Sequence, residues 1–286
     1  MKNISLFLAA IVIALGSVWI HDKISPQQQV AQQETAYDRV MRTKTLRCGY
    51  ADWPPIIFTK DPITGKFSGI AYDLTEELGK RLGLKIDWAE DTGWTNAVSS
   101  IQTKRVDAFC VFMCVNTDRG RYVAYSRPIF FNATYPYVRN DDHRFDADLL
   151  AANSPDVRFS TIDGEMTAKI AHDSFPKAKT LSIPSTVQVS EALNNVATSK
   201  ADIIITDYGF GEGYIKNNPN TLRRLSDDPF QVFQTSYAFD IHESQLREMI
   251  DNALIEMQNQ GIVDQIIDKH SSDPKEIIRP ALPYRK

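Results

Sequence analysis

VDAFCVFMCVNTDRGRYVAYSRP (Val106–Pro128) decides how the rest of the chain is organised. It opens with an uncharged run, Ala108–Val115, of β-branched, aromatic and cysteine residues. Such a run reads as a strand buried on both faces, as in a parallel sheet. The pattern breaks at Asn116-Thr117-Asp118, side chains that cap helices or bond their own backbone in turns. Arg119 follows, which puts a guanidinium on the rim beyond the carboxyl end of a buried strand. Open α/β sheets bind small ligands at that edge, and the planar fork of Arg fits a carboxylate. A solvated surface Arg fits the same stretch, so at this level both readings stand.

The flanking segments repeat one pattern. Leu46–Tyr50 (LRCGY) is predicted as a first strand, with Asp52-Trp53-Pro54-Pro55 as the loop leaving it. Pro62–Gly65 (PITG) is a hairpin-type turn. Leu74, Leu78 and Leu82 recur at helical spacing, and Gly83 stops that helix. Lys85–Ala89 alternates like a strand, and Trp94–Thr103 suits a short helix with Ala97, Val98 and Ile101 inward. Strand, helix, strand, helix, strand with short connections is a parallel α/β unit. After an extended run, Thr134–Val138, a second unit begins at Val157–Ile162. It turns at Asp163-Gly164 and continues with helices around Met166–Asp173 and within Ser185–Thr198. A buried strand, Ala201–Thr206, then ends at Asp207. Tyr237–Ile241 is extended again, and Glu243–Ile267 is amphipathic up to the break at Gly261. Two similar halves joined by two extended crossings describe a bilobal α/β protein with a cleft, hinged near Tyr135–Tyr137 and Ser236–Phe239. Arg119 ends one buried strand and Asp207 the other. A cation facing an anion across a cleft is what an α-amino acid zwitterion requires.

The 286 residues are 43% hydrophobic and 24% charged, with a net charge of −4, so no basic surface for nucleic acid is expected. The five histidines are scattered and form no ligand-spaced set, so no metal site is expected. GFGEG (Gly209–Gly213) lacks the spacing and downstream acid of a dinucleotide fingerprint. Residues 1–20, MKNISLFLAAIVIALGSVWI, read as a signal peptide or an uncleaved membrane anchor. Residues 21–45 read as a polar, Gln-rich linker. Either way the remainder is exported, to the periplasm or another extracytoplasmic space. Cys48 and Cys110 fall on neighbouring strands. They fit either a disulfide of an exported protein or two small buried thiols, because pairing across a parallel sheet is often unfavourable.

In the order and spacing of these blocks, LRCGYADWPP, GKFSGIAYDLTEELGKRLGLKIDW, VDAFCVF…TDRGRYVAYSRP, ADIIITD and LREMIDNALIEMQNQGIVDQIIDKH, the chain resembles the type 3 extracellular solute-binding proteins. These are the amino-acid-binding components of ABC transporters. The resemblance runs from Leu46 to His270. It implies the bilobal periplasmic-binding-protein fold of type II, with two open, mostly parallel sheets flanked by helices and joined by two hinge crossings. Residues 46–135 and 239–270 would form lobe 1 and 136–238 lobe 2. Residues 271–286 would be a tail, poorly ordered at PALPYRK.

The resemblance also implies roles for single residues. Trp53 and Trp94 would hold the aliphatic part of a ligand between their rings. Arg119 would take the α-carboxylate and Asp207 the α-amino group, with backbone donors from the turn at Gly164 and Glu165. Where the family usually has Gly-x-Thr/Ser-x-Thr-x-x-Arg, this chain has Phe112 in place of the glycine and Cys114 in place of a hydroxyl. The thiol is a poorer donor, which implies heavier dependence on Arg119, and Trp53 and Trp94 together with Phe112 imply a narrower, more aromatic pocket suited to a flat, apolar or cationic ligand. The implied protein is a monomer that binds an amino acid or related zwitterion and delivers it to a membrane permease, with no cofactor and no catalysis. Two alternatives stay open: an enzyme similar to the cyclohexadienyl dehydratases, with Glu165 as the candidate acid, and a membrane-anchored ligand sensor.

Overall fold

The computed structural model describes residues 34–54, 56–271 and 273–281. Residues 1–33, on which the signal-or-anchor reading rests, lie outside the described residues, as do the last five of PALPYRK.

The first lobe starts with helix α1 (Ala36–Thr43) and strand β1 (Thr45–Tyr50). A small hairpin, β2 (Thr59–Lys60) and β3 (Phe67–Ser68), leads to helix α2 (Ile70–Leu82). Leu74 and Leu78 of α2 are buried. The helix closes on Gly83, whose φ of 64° is the left-handed conformation that glycine adopts without cost. Strand β4 (Lys85–Asp91), helix α3 (Gly93–Gln102) and strand β5 (Ala108–Cys114) complete the unit, and β1 pairs in parallel with both β4 and β5.

The chain leaves by β6 (Val123–Tyr125) and β7 (Phe130–Arg139). The second lobe follows as β8 (Arg158–Ile162), α4 (Met166–Ser174), β9 (Lys179–Ile183), α5 (Val189–Ala197) and β10 (Ile203–Asp207). Helix α6 (Tyr208–Asn217) and β11 (Leu222–Arg224) come next. Strand β12 (Gln231–Asp240) then returns to the first lobe, which ends in helices α7 (Ser244–Asn259) and α8 (Ile262–His270).

Each lobe keeps its own apolar core. One cluster draws on residues from Val40 to Phe130 and from Tyr237 to Ile277, and two others on residues between Ala133 and Phe233. The expected pair of separate sheets is in fact one 10-stranded ladder ordered β4-β1-β5-β12-β7-β10-β8-β9. The crossings β7 and β12 pair with each other, Phe130–Thr134 against Gln231–Thr235. Beyond that stretch β12 joins β5 of the first lobe and β7 joins β10 of the second. The stretch in which the two crossings pair thus lies immediately before Tyr135–Tyr137 on one strand and Ser236–Phe239 on the other.

Three further expectations are corrected. The polar linker was placed up to residue 45, but its last part forms α1, which packs on lobe 1. Val40 is buried, and Arg39 joins Arg47 on the buried carboxylate of Asp107. Glu243 accepts from the first amides of the helix, Ala36 N at 2.7 Å and Tyr37 N at 3.3 Å. Secondly, the expected tail packs on the fold at Ile277 and Ile278, while most of PALPYRK lies outside the described residues. Ile278 exchanges backbone hydrogen bonds with Phe131 at 2.7 and 3.0 Å, and Ile277 is buried in the lobe 1 core.

Thirdly, Phe112 does not face the cleft. Three residues of β5, Cys110–Phe112, lie opposite the single Tyr237 of β12, which makes a β-bulge. Phe112 carries the bulge with φ 66°, a conformation that favours glycine, and its ring is fully buried against Phe130 and Tyr237. The large side chain at the glycine position is thus absorbed by the core.

The same irregularity settles the cysteines. Cys48 and Cys110 form a disulfide, with Cα atoms 5.5 Å apart. The bridge closes a loop of 62 residues, worth about 4 kcal/mol in the chain-entropy account. Thiol titration of denatured, unreduced protein should therefore find one thiol, Cys114. Reduction, or Cys48→Ser with Cys110→Ser, should lower the unfolding free energy by about 2–4 kcal/mol in denaturant titrations. Three titratable thiols would exclude the bridge.

Candidate functional site

Both buried strands end on the same cavity. Strand β5 ends at Cys114 and β10 at Asp207, and both residues line a cavity of ≈ 740 Å³ between the lobes. That volume lies within the range of small-molecule sites. The first lobe contributes Trp53 from the loop after β1 and Trp94 from the start of α3. The second lobe contributes Glu165, and the amino ends of α4 and α5 open on the cavity through Met166 and Val189. Helix amino ends carry partial positive charge and suit a carboxylate.

Arg119 is set by the turn that the sequence announces. Asn116 Oδ1 accepts from the Arg119 amide at 2.9 Å, and a short 3₁₀ turn follows over Arg119–Arg121. The guanidinium then crosses the cleft, where Nη2 donates to the Gly164 carbonyl at 2.7 Å. One bond leaves most of its donors for another acceptor. Gly164 holds φ 74° in the turn before α4, so Gly164 contributes its backbone and Glu165 its side chain. The lobes also meet where Lys169 Nζ donates to Asp118 Oδ2 at 2.8 Å, where the hydroxyls of Thr95 and Ser185 lie 2.7 Å apart, and where Asn116 Nδ2 donates to Met166 Sδ at 3.7 Å.

The tryptophans differ from the expected sandwich. Trp53 and Trp94 both belong to lobe 1, and their rings meet edge to face, 5.4 Å between centroids at 86°. Trp94 packs in turn on Phe109. Together they form one aromatic wall of the cavity. Of the residues singled out from sequence, Trp53, Trp94, Cys114, Arg119, Glu165 and Asp207 are brought together on this cavity. Gly164 reaches it through Arg119, and Phe112 stays in the core. Sequence reading missed Thr134, Met166, the Ser185–Gln188 loop and Phe210, which also line it. Ser185–Gln188 was legible as the loop before a helix. Phe210 sits on α6, whose glycines hid the helix.

Glu165 and Asp207 are half-buried on the cavity. Among the described residues no hydrogen bond or ion pair reaches the carboxyl of Glu165 or of Asp207. Burial pushes Asp207 up to about 7. Burial, then the negative charge of Asp207, pushes Glu165 up to about 7, against the pull of Arg119. The Cys114 thiol is raised well above its ordinary range, mainly by burial, and stays protonated.

Over residues 46–273 the sequence matches the bacterial extracellular solute-binding proteins, family 3. The chain belongs to that family. It is 24% identical over 268 residues to a probable histidine-binding protein of Campylobacter jejuni, covering 92% of this chain and 98% of the relative. It is 22% identical over 223 residues to ABC transporter arginine-binding protein 1 of Escherichia coli K12, covering 77% of this chain and 87% of that one. The fold matches the crystal structure of the ancestral amino acid-binding protein AncCDT-1, a precursor of cyclohexadienyl dehydratase. That match has a TM-score of 0.71 at 24% identity and covers 83% of this chain and 99% of the other. As a member of an extracellular family, the protein works outside the cytoplasm. Among the described residues no helix is long and apolar enough to cross a membrane.

The raised carboxyls have a measurable consequence. Between roughly pH 4 and about 7 the folded protein keeps protons on Asp207 and Glu165 that the unfolded chain has lost. The folded state then binds more protons, so these groups make the empty protein lose stability as pH rises through that window. Thermal melts from pH 5 to 8 should show a smaller loss for Asp207→Asn than for the unaltered protein. Parallel curves would mean that Asp207 is not held protonated.

Proposed function

We propose that this protein captures an α-amino acid between its lobes and, working as a monomer, hands it to the membrane permease of an ABC transporter. The observation that carries this reading is Arg119 from one lobe and Asp207 from the other on one cavity. The ligand carboxylate pairs with the free donors of Arg119 and the amino ends of α4 and α5, and its ammonium pairs with Asp207. The family assignment supports the ligand class, since relatives in it are named for histidine and arginine. Trp53 and Trp94 offer the side chain an apolar wall, and the thiol of Cys114 supplies a weak donor where a hydroxyl would be stronger.

Calorimetric titration with an amino-acid panel tests the pairing. Removing one partner of a charge pair in a desolvated cleft costs roughly 2–5 kcal/mol, about 30- to several-thousand-fold in affinity. Arg119→Ala should lose that much, and Arg119→Lys nearly as much, because an ammonium cannot present the fork. Asp207→Asn should weaken amino acids strongly and spare analogues that lack the amino group. Unaltered amino-acid affinity in Asp207→Asn would remove the zwitterion reading.

A second reading, an enzyme that eliminates a hydroxyl group, rests on Glu165. A buried carboxylic acid pushed up to about 7 is suited to protonating a leaving group. Mass spectrometry of what remains bound after incubation with a metabolite mixture separates the two: an intact amino acid supports the binder and a dehydrated product the enzyme. Delivery to a permease and signalling from a retained anchor differ at the amino terminus, where an intact Met1 in the exported protein indicates the anchor.

A further inference from the structure

The charges on the cavity do not balance for a neutral amino acid. The charged side chains among its described lining are Asp52, Asp91, Glu165, Asp207 and Arg119. Asp52 and Asp91 are exposed, and each accepts a backbone amide, Lys60 N at 3.2 Å and Gly93 N at 3.3 Å respectively. Glu165 and Asp207 have no such partner among the described residues. A zwitterion engages Arg119 with its carboxylate and Asp207 with its ammonium, and Glu165 then has no counter-charge and must either keep its proton or stand as an unpaired carboxylate. Leaving one charge of a buried set without a partner is the costly arrangement.

We propose that the ligand is an amino acid of net charge +1, whose side-chain cation is taken by Glu165, making Glu165 the residue that sets specificity. This rests on the zwitterion reading of the same cavity and deepens it. Two carboxylates and one guanidinium carry a net charge of −1, which a carboxylate, an ammonium and a second cation neutralise. The cavity of ≈ 740 Å³ has room for a side chain of several methylenes with a head group. The wall of Trp53 and Trp94 suits the stem of such a side chain and, where a ring face is presented, its cation. Asp52 and Asp91 draw cations toward the cleft.

The groups that face Glu165 are Asp207 at the end of β10, Arg119 beyond β5 and Cys114 at its end. In the empty cleft Glu165 and Asp207 hold protons near neutrality, and a ligand bearing two cations displaces them. Its affinity therefore rises with pH up to about 8, beyond the range in which both carboxyls ionise.

The test compares L-arginine with L-citrulline, its neutral isostere, and L-lysine with L-glutamine, by calorimetry at pH 8. The unaltered protein should prefer the cationic member of at least one pair by about 30-fold or more. Glu165→Gln should remove that preference by weakening the cationic ligand while leaving the neutral one within a few-fold. Because Gln retains donor capacity, it also separates a cation site from a protonated Glu165 that donates to a carboxylate: in the latter case arginine affinity survives. Thermal melts of the empty variant confirm that it folds. The proposal is overturned if the unaltered protein binds neutral or acidic amino acids better than cationic ones, or if Glu165→Gln leaves the ratio unchanged; the zwitterion reading then stands alone. If no amino acid in the panel binds, both readings fall.

Discussion

The ladder between β7 and β12 is the constraint on which the rest of the molecule depends. Phe130–Thr134 pairs with Gln231–Thr235, and on either side of that stretch each strand is claimed by a different lobe. Cys114 pairs with Thr235, and Asp207 pairs with Thr134. The ends of the two buried lobe strands are thereby pinned to opposite limits of one short antiparallel ribbon. A two-stranded ribbon twists and bends more readily than a packed layer, so the lobes can move without either core being opened. The site lies beside this shared ribbon.

Much of this was legible in the sequence because the strongest signals are periodic. Buried strands such as Ala108–Val115 and Ala201–Thr206 announce themselves as uncharged runs, and the leucines of α2 at helical spacing are equally plain. Helix α6 was hidden because Gly209, Gly211 and Gly213 argue against a helix by propensity. The structure shows why a glycine is needed at one of them: a Cβ on Gly211 would come within 1.9 Å of the Tyr137 ring. Close packing against the Tyr137 ring overrode local preference, and no short window of sequence contains both residues. Helix α1 was hidden for a similar reason. Its partners, Asp107 and Glu243, are remote in the chain, while its own composition is polar.

The candidate site was legible in position and less so in geometry. Arg119 and Asp207 follow from strand ends, a topological argument that survives without side-chain detail. Which way a side chain points does not follow. The resemblance puts Phe112 in the pocket, at a position usually small, but it sits on a β-bulge with its ring in the core, and Cys110 at the start of that bulge is bridged to Cys48. The tryptophans were expected to flank a slot and instead stand against each other. In each case the deciding quantity is a local backbone departure or a contact between distant segments, which periodicity does not encode.

Arg119 is the point where these layers meet. Its amide is held by Asn116 in its own lobe, and its guanidinium donates to Gly164 in the other. On the proposed reading, one side chain serves both the cross-cleft contact and carboxylate recognition. The acids have the opposite effect. Unpaired Asp207 and Glu165 resist burial as ions, and they oppose closure of an empty cleft above neutral pH while favouring closure around cations. On the proposed reading, a cleft bridged by Arg119, Lys169 and Thr95 and opposed by two carboxylates is biased to shut on a ligand that supplies the missing charges, and the discrimination arises from the same electrostatics as the motion.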